Sequence, residues 1–198
     1  MNRSPQPAQP ADALAALRAA TDSRHQQLDS GLPIGAPDAS LADYARHLRM
    51  LQAWLAPLQD WLAGFHDGPR FEHGARLALI AADLAEPGMQ ADAVPPAVPA
   101  PDWPRDASPA WRWGVQYVIE GSQLGGAVLY GRLAAALAPH PLRYLKGDAA
   151  GPGPRWRAFM LGLREQVRTP DEIRAACAGA CAAFDRILAL SSDLRDPQ

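Results

Sequence analysis

Residues 117–129 read YVIEGSQLGGAVL, an apolar stretch with helical spacing that carries three glycines in its middle. A glycine inside a helix costs about 1 kcal/mol relative to alanine, because its unfolded backbone has more freedom to lose and it buries no side chain. Three of them cost roughly 3 kcal/mol, a large share of the roughly 5–15 kcal/mol by which a domain is stable. The pattern therefore predicts that the backbone at Gly121, Gly125 and Gly126 kinks, or closely approaches another helix or a flat ligand.

The rest of the chain also has the apolar spacing of helices. Leucine, tryptophan and other apolar residues recur every three or four positions, and proline or glycine ends most of these segments. No stretch alternates in the way of a β-strand, and no internal repeat is evident. We therefore predict an all-α, single-domain, multi-helical protein, with helices over about 11–30, 41–63, 71–84, 109–137, 156–163 and 170–190.

Chain length and proline content bound the domain organisation. A chain of 198 residues suits one packed domain, which we place at residues 11–190 between tails at 1–10 and 191–198. The N-terminal tail is polar and proline-rich, and we expect it to be disordered. Residues 87–109 are dense in proline, which excludes regular helix and predicts a semi-rigid surface connection.

Charge and apolar runs exclude several classes of partner. The formal net charge of −2 gives no basic footprint for nucleic acid. The sequence has no apolar run of the length of a secretory signal or a membrane span, so we expect a cytoplasmic protein with no membrane partner. Cys177 and Cys181 lie four apart in an alanine-rich segment, and we interpret both as small core residues rather than as a disulfide or a metal pair.

A histidine lies beside the apolar stripe of the first helix. At about 100° per residue, His25 falls about 20° from Leu14, and Asp29 follows one turn later. Such a carboxylate can accept the Nδ1–H of the imidazole and leave Nε2 free, which is how proteins orient a histidine as a metal ligand. Arg18, two turns before His25, could meet an anion. An ordinary hydrogen-bonded histidine at the core boundary has the same pattern, and a single helix does not separate the two.

The glycine-rich helix offers a second surface. Gly121 and Gly125 are four apart and share a face that Ser122 flanks, so a strip of backbone without side chains is wide enough for a flat macrocycle to touch. A notch that lets two helices pack closely would have the same spacing. Both interpretations stay open at this point.

The two helices together resemble those of a known family. The stretch LRAATDSRHQQLD, residues 17–29, is similar to the proximal helix of heme oxygenases, in which the histidine of an LRxxTxxxH pattern is the axial iron ligand. The stretch YVIEGSQLGGAVL resembles their distal helix, whose GSxLGG pattern lies over the heme and kinks at the glycines. The order, the separation and the helical profile of residues 11–190 resemble a bacterial, biliverdin-producing member.

The resemblance implies roles for the residues of both helices. His25 would bind the heme iron, Asp29 would hydrogen-bond its other nitrogen, and bare backbone at Gly121 and Gly125 would bend bound oxygen toward the macrocycle. Ser122 would hold ordered water that supplies protons, at a position where mammalian members carry an aspartate. Gly121, Ser122 and Gly125 are thus the implied catalytic positions.

The resemblance also implies contacts with the heme periphery. Arg18 matches a basic position on the proximal helix, and Arg157 lies roughly where another residue that binds the heme carboxylates is found. Tyr117 and Gly126 would complete the heme contacts, while Tyr44 could reach the pocket or simply pack. His47, His66, His73 and His140 match no ligand motif, and we assign them to surface or boundary positions.

The implied reaction uses heme as both cofactor and substrate, with O₂, and yields biliverdin, ferrous iron and CO. Since the chain lacks a dinucleotide, flavin or iron–sulfur signature, electrons would come from an external ferredoxin or reductase. A bacterial phytochrome could receive the biliverdin, or the reaction could serve iron acquisition, and we expect a monomer. The alternatives are a non-catalytic heme or tetrapyrrole-binding protein of the same fold, a non-heme helical interaction protein, and a thiaminase-like enzyme that would need Cys177 or Cys181 in its pocket.

Overall fold

The computed structural model describes residues 12–69, 74–89 and 103–192, and within these ranges the protein is helical with no strand. A single 3₁₀ turn, Pro33–Gly35, joins the first two helices. The helices are α1 (Ala13–Gly31), α2 (Leu41–Ala63), α3 (Gly74–Leu84), α4 (Pro109–Leu133), α5 (Arg143–Lys146), α6 (Gly153–Gln166) and α7 (Pro170–Ser192). The all-α prediction is confirmed. The sequence did not indicate α5, because four residues are too few to show a helical period.

Side-chain caps explain where three of the helices begin. The Ser40 hydroxyl accepts the Asp43 N–H and the Asp43 carboxylate accepts the Ser40 N–H, which makes a capping box at the start of α2. Thr169 and Glu172 make the same reciprocal pair before α7. Ser108 caps α4 by accepting the Trp111 N–H at 3.2 Å. These are the positions at which polar residues precede an apolar run in the sequence.

Helical structure continues where the sequence suggests a break. Helix α2 passes through Pro57, and α4 passes without interruption through Gly121, Gly125 and Gly126. A change of axis direction at the glycines stays a prediction. Helix α4 ends at Leu133, four residues before the predicted end at Leu137, and turns follow it.

Helix α7 is the common support of the fold, because it packs along α4 and α1 and also against α2. The contact with α4 is made by glycines on both helices. A Cβ atom on Gly114 would overlap the Ala176 carbonyl, and one on Gly179 would overlap the Trp111 carbonyl. The two backbones therefore touch, which fixes the position of α4 relative to α7.

Buried polar groups tie the shorter helices to this core. The fully buried Asp83 of α3 accepts the Tyr44 hydroxyl at 2.7 Å and the backbone N–H groups of Arg143 and Tyr144 at 3.1 and 2.9 Å. Burial and this hydrogen bond raise the pKa of Tyr44, so its hydroxyl stays protonated. Tyr44 therefore anchors α2 to α3 and α5, and it does not line the cavity described below.

A second buried cluster surrounds Glu120, the residue before Gly121. Its carboxylate accepts hydrogen bonds from Arg76 at 2.7 Å, from Arg155 at 2.8 Å and from Gln116 at 2.7 Å. Burial opposes the charge, but the hydrogen bond from Arg155 and the charge of Arg76 hold the pKa of Glu120 below its usual value. This cluster joins α3 and α6 to α4 directly beside the glycine-rich segment.

Some predictions fall on parts of the chain that the structure does not describe. These include the tail at 1–10, His73 and most of the proline-rich connection. Its last residues are described: Trp103 is buried and packs against Trp61 and Trp111, and the Trp61 indole donates to the Pro104 carbonyl at 3.1 Å. None of the helices in the described ranges has the length and apolarity needed to cross a membrane.

The close contact of Gly114 with α7 leads to a prediction that compares alanine substitutions at two glycines of α4. Gly114→Ala should lower the free energy of unfolding by about 1–3 kcal/mol or more, because its methyl group meets backbone that cannot rotate away. Gly131→Ala, on the same helix with nothing within 4 Å of its Cβ position, should raise it by about 0.5–1 kcal/mol. Urea denaturation of both variants checks this, and equal effects would contradict the contact.

Candidate functional site

A cavity of about 670 Å³ lies between α1 and α4, and residues of α2, α5, α6, α7 and the 3₁₀ turn complete its wall. This volume is in the ordinary range for small-molecule sites. Helices α1 and α4 run in the same direction along it, since Arg18 and Tyr117 lie at one end and Gly35 and Arg132 meet at the other. The wall is thus formed by the two helices that the sequence singled out.

His25 projects from α1 into this cavity. Its Nδ1 lies 3.0 Å from the Asp29 carboxylate, and its side chain is 63% exposed. The ring also contacts Phe184 of α7 edge-on, at 5.9 Å between centroids. Because Nδ1 faces Asp29, Nε2 is the nitrogen that remains for a ligand. The structure therefore contains the predicted pair, and ligation of iron by His25 stays a prediction.

The glycines of α4 face His25 across the cavity without packing tightly on anything. A Cβ atom on Gly121 would meet Trp156 at 3.9 Å, one on Gly126 would meet Leu145 at 3.8 Å, and one on Gly125 would meet nothing within 4 Å. All three distances allow a methyl group. The packing-notch interpretation therefore does not fit these glycines, although it does fit Gly114 and Gly179.

Cationic and hydroxyl groups gather at the two ends of the cavity. Burial raises the pKa of Tyr117, against the opposing charge of Arg18 and hydrogen bonds with Thr21 and Arg18. Arg18 and Tyr117 therefore lie together at one end. At the other end Arg132 donates to the Gly35 carbonyl at 2.8 Å. Arg157 is exposed and lies outside this cavity wall, so its predicted contact with the heme carboxylates has less support than that of Arg18.

Two hydroxyl side chains, Ser122 of α4 and Tyr144 of α5, line the cavity. The Ser122 hydroxyl donates to the Ile119 carbonyl at 2.8 Å, and the Gln123 amide donates to the Tyr144 hydroxyl at 3.0 Å. Burial raises the pKa of Tyr144, against a hydrogen bond donated by Gln123 and a hydrogen-bond contact with Ser122. The sequence did not indicate Tyr144, because the helix that carries it is too short to be recognised.

The histidines that match no ligand motif differ in how deeply they are buried. His66 is exposed, as expected. His140 is buried, with Nδ1 accepting the Leu142 N–H at 3.0 Å and Nε2 near the Asp83 carbonyl. His47 is only 8% exposed and lines the cavity, and its Nδ1 has no hydrogen-bond partner among the residues described. The surface or boundary assignment is therefore wrong for His47 and His140.

The burial of His47 has a consequence for pH dependence. Burial lowers the pKa of His47 to about 4, below the value of about 6.5 for an unfolded histidine. As the pH falls between these values, the unfolded state takes up a proton that the folded state does not, and the protein loses stability.

His47→Leu should remove this effect. The loss in unfolding free energy between about pH 7.5 and about pH 4.5 should be smaller in the variant by about 1–3 kcal/mol. Urea denaturation at both pH values measures it. An identical loss in both proteins would show that His47 titrates normally in the folded state.

The wall suits a flat, metal-containing ligand better than the alternatives. Cys177 and Cys181 are free thiols outside the cavity wall, and the Cys181 thiol donates to the Ala20 carbonyl at 3.4 Å. A thiaminase-like nucleophile is therefore not in place. No group of three histidine, cysteine or acidic residues that could hold a bare ion occurs in the described part of the chain. One histidine opposite bare backbone fits a metal that a macrocycle already holds.

Comparison with known proteins agrees with this class of site. The fold is similar to the structure of the NO- and CO-bound heme oxygenase from Neisseria meningitidis, with a TM-score of 0.67, 24% identity, and coverage of 91% of this chain and 90% of that one. The sequence is 37% identical over 145 residues to a heme oxygenase of Xanthomonas campestris pv. campestris (strain 8004), covering 70% of this chain and 80% of that protein. It is 30% identical over 180 residues to the heme oxygenase PigA of Pseudomonas aeruginosa, covering 86% of each.

No protein-family model matches the sequence. The extent and identity of the two relatives are nevertheless sufficient to assign the family. The chain belongs to the heme oxygenase family, and it is an enzyme of heme degradation.

Proposed function

We propose that this protein is a biliverdin-producing heme oxygenase that binds heme between α1 and α4 and uses it as both cofactor and substrate. The observation that carries the proposal is the position of the His25–Asp29 pair opposite a strip of α4 backbone on which no other helix backbone packs. A tight helix contact would have left no room for a ligand there. The iron of the bound heme would activate O₂, with the macrocycle as the group oxidised.

On the α1 side, His25 would hold the iron as a neutral imidazole. The Asp29 carboxylate 3.0 Å from Nδ1 fixes the tautomer that leaves the lone pair on Nε2, and it makes that nitrogen more basic. The edge of Phe184 limits rotation of the ring. These contacts would orient the ligand nitrogen before heme enters.

On the α4 side, the proposal assigns catalysis to Gly121, Ser122 and Gly125. Bare backbone there lets the helix lie close to the macrocycle, so that the oxygen side of the heme is shaped by peptide groups rather than by side chains. The Ser122 hydroxyl and the Tyr144 hydroxyl can order water and pass a proton through it without a strong side-chain acid. The α4 residues that line the cavity include no carboxylic acid, which would favour oxidation of the macrocycle over cleavage of the oxygen bond.

The periphery of the heme would meet Arg18, Tyr117 and Gly126. Arg18 supplies a cation for a heme carboxylate, and the Tyr117 hydroxyl beside it supplies a hydrogen bond. Arg157, which is exposed and outside the cavity wall, would be a more distant peripheral cation. Arg132 at the opposite end is a further cation on the wall.

The remaining reactants and partners follow from the family. The proposed products are biliverdin, ferrous iron and CO, with O₂ as oxidant and with electrons from an external ferredoxin or reductase. A bacterial phytochrome that receives biliverdin and a role in iron acquisition are both compatible uses. We propose a cytoplasmic monomer.

Replacing the proposed ligand tests the α1 side. His25→Ala should lower the affinity for hemin by about tenfold or more and should remove the Soret band typical of histidine-ligated heme. Titration of the purified protein with hemin measures both quantities. His66→Ala, an exposed histidine away from the cavity, is the control and should bind hemin as the natural protein does. Unchanged binding by His25→Ala would remove His25 from the site.

Adding a methyl group tests the α4 side. Gly125→Ala should raise the unfolding free energy of the heme-free protein by about 0.5–1 kcal/mol, because nothing lies within 4 Å of the new atom. It should nevertheless lower the rate of hemin oxidation by about tenfold or more, since the methyl group would displace the ligand from its place on the backbone. Gly131→Ala is the matched control, with the same change in stability and no change in rate. Equal rates for both variants would show that the heme does not touch Gly125.

A further inference from the structure

His47 is the polar member of the otherwise apolar part of the cavity wall that α2 provides. His47, Leu51 and Trp54 have the spacing i, i+4 and i+7, so they share one face of α2, and all three line the cavity. Leu51 and Trp54 are buried apolar side chains. His47 is also buried, yet its Nδ1 has no hydrogen-bond partner within the described ranges.

An imidazole in such a place reduces the stability of the ligand-free protein. A buried polar atom without a partner has lost its hydrogen bonds to water and gained none, whereas a leucine of similar size would lose nothing. Burial also keeps the ring neutral near pH 7, because it lowers the pKa of His47. A neutral imidazole offers one donor and one acceptor. Because Nδ1 is enclosed by protein, Nε2 is the nitrogen that a bound ligand or an ordered water molecule in the cavity can reach.

Contacts of the α2 residues on either side of His47 place it within the cavity. Trp54, two turns later, donates to the Ala183 carbonyl at 3.1 Å, next to the Phe184 that touches His25. Trp54 therefore lies toward the side of the proposed iron ligand. The other end of the wall approaches α5.

Tyr44, one turn before His47 on α2 and outside the cavity wall, connects this part of α2 to α5. The Tyr44 hydroxyl is bonded to Asp83, which also holds the Tyr144 N–H at 2.9 Å. The Tyr144 hydroxyl is in turn in hydrogen-bond contact with Gln123 and Ser122. His47 thus belongs to the half of the cavity that contains Ser122.

We propose that His47 is a positioning residue for the oxygen side of the heme site, where its neutral imidazole holds an ordered water together with the hydroxyls of Ser122 and Tyr144. The inference rests on the proposed function. A water in a largely apolar cavity is retained when it has two to four polar partners, and these three side chains provide that number. His47 would act through the water and would not touch the reacting atoms.

The test compares His47→Leu with His47→Gln, which keeps a donor and an acceptor at that position. His66→Leu is the control for the same chemical change at an exposed position. Three properties are measured for each protein: the thermal unfolding midpoint without heme, the CO stretching frequency of the reduced hemin complex under CO, and kcat and KM for hemin oxidation. The CO frequency reports hydrogen bonding on the oxygen side of the heme without any turnover.

The proposal expects that His47→Leu unfolds at the same or a higher temperature, shifts the CO frequency, and loses about tenfold in kcat with little change in KM. His47→Gln should restore most of the frequency and the rate, and His66→Leu should match the natural protein. A fall of several degrees in the unfolding midpoint, or an unchanged CO frequency in His47→Leu, would overturn the role of His47 and leave the proposed function intact. Failure of the natural protein to bind hemin would overturn both.

Discussion

The close contact between α4 and α7 is the constraint on which the site depends. Gly114 and Gly179 let the two backbones touch, and a methyl group on either would overlap a carbonyl of the other helix. Helix α7 also carries α1, through packing and through the Arg24–Asp185 ion pair, whose two hydrogen bonds measure 2.6 and 3.1 Å. The helix with His25 and the helix with Gly125 are therefore held on one support. The position of these two helices relative to one another is therefore set by α7.

The ion pairs around Glu120 hold α4 in place where its three glycines follow. Glycine destabilises a helix interior, but the residue immediately before the first glycine is held by Arg76 and Arg155 from two other helices. Buried ion pairs contribute little net stability on average, because removing charges from water opposes their attraction. Their directional hydrogen bonds do fix geometry, and here they fix the start of the glycine segment.

Much of the site could be predicted from the sequence because it depends on local spacing. The His25–Asp29 pair spans one helical turn, and the capping residues stand next to the helices they begin, so neither needs knowledge of the tertiary fold. Long-range packing decides the rest. The spacing of Gly121 and Gly125 alone does not separate a helix notch from a ligand surface, since the distinction lies in what is opposite them. The same is true of His47, whose burial depends on how α2 meets the cavity, and of Tyr144, which lies on a four-residue helix.

Aerobic turnover of hemin tests the central claim most directly. The purified protein is mixed with one equivalent of hemin and supplied with reduced ferredoxin or ascorbate in air, while the visible spectrum is followed and the product is separated by chromatography. The account predicts that the Soret band decays and that biliverdin is formed. A Soret band that persists under a working supply of electrons would show that this site binds heme without oxidising it, and would contradict the account.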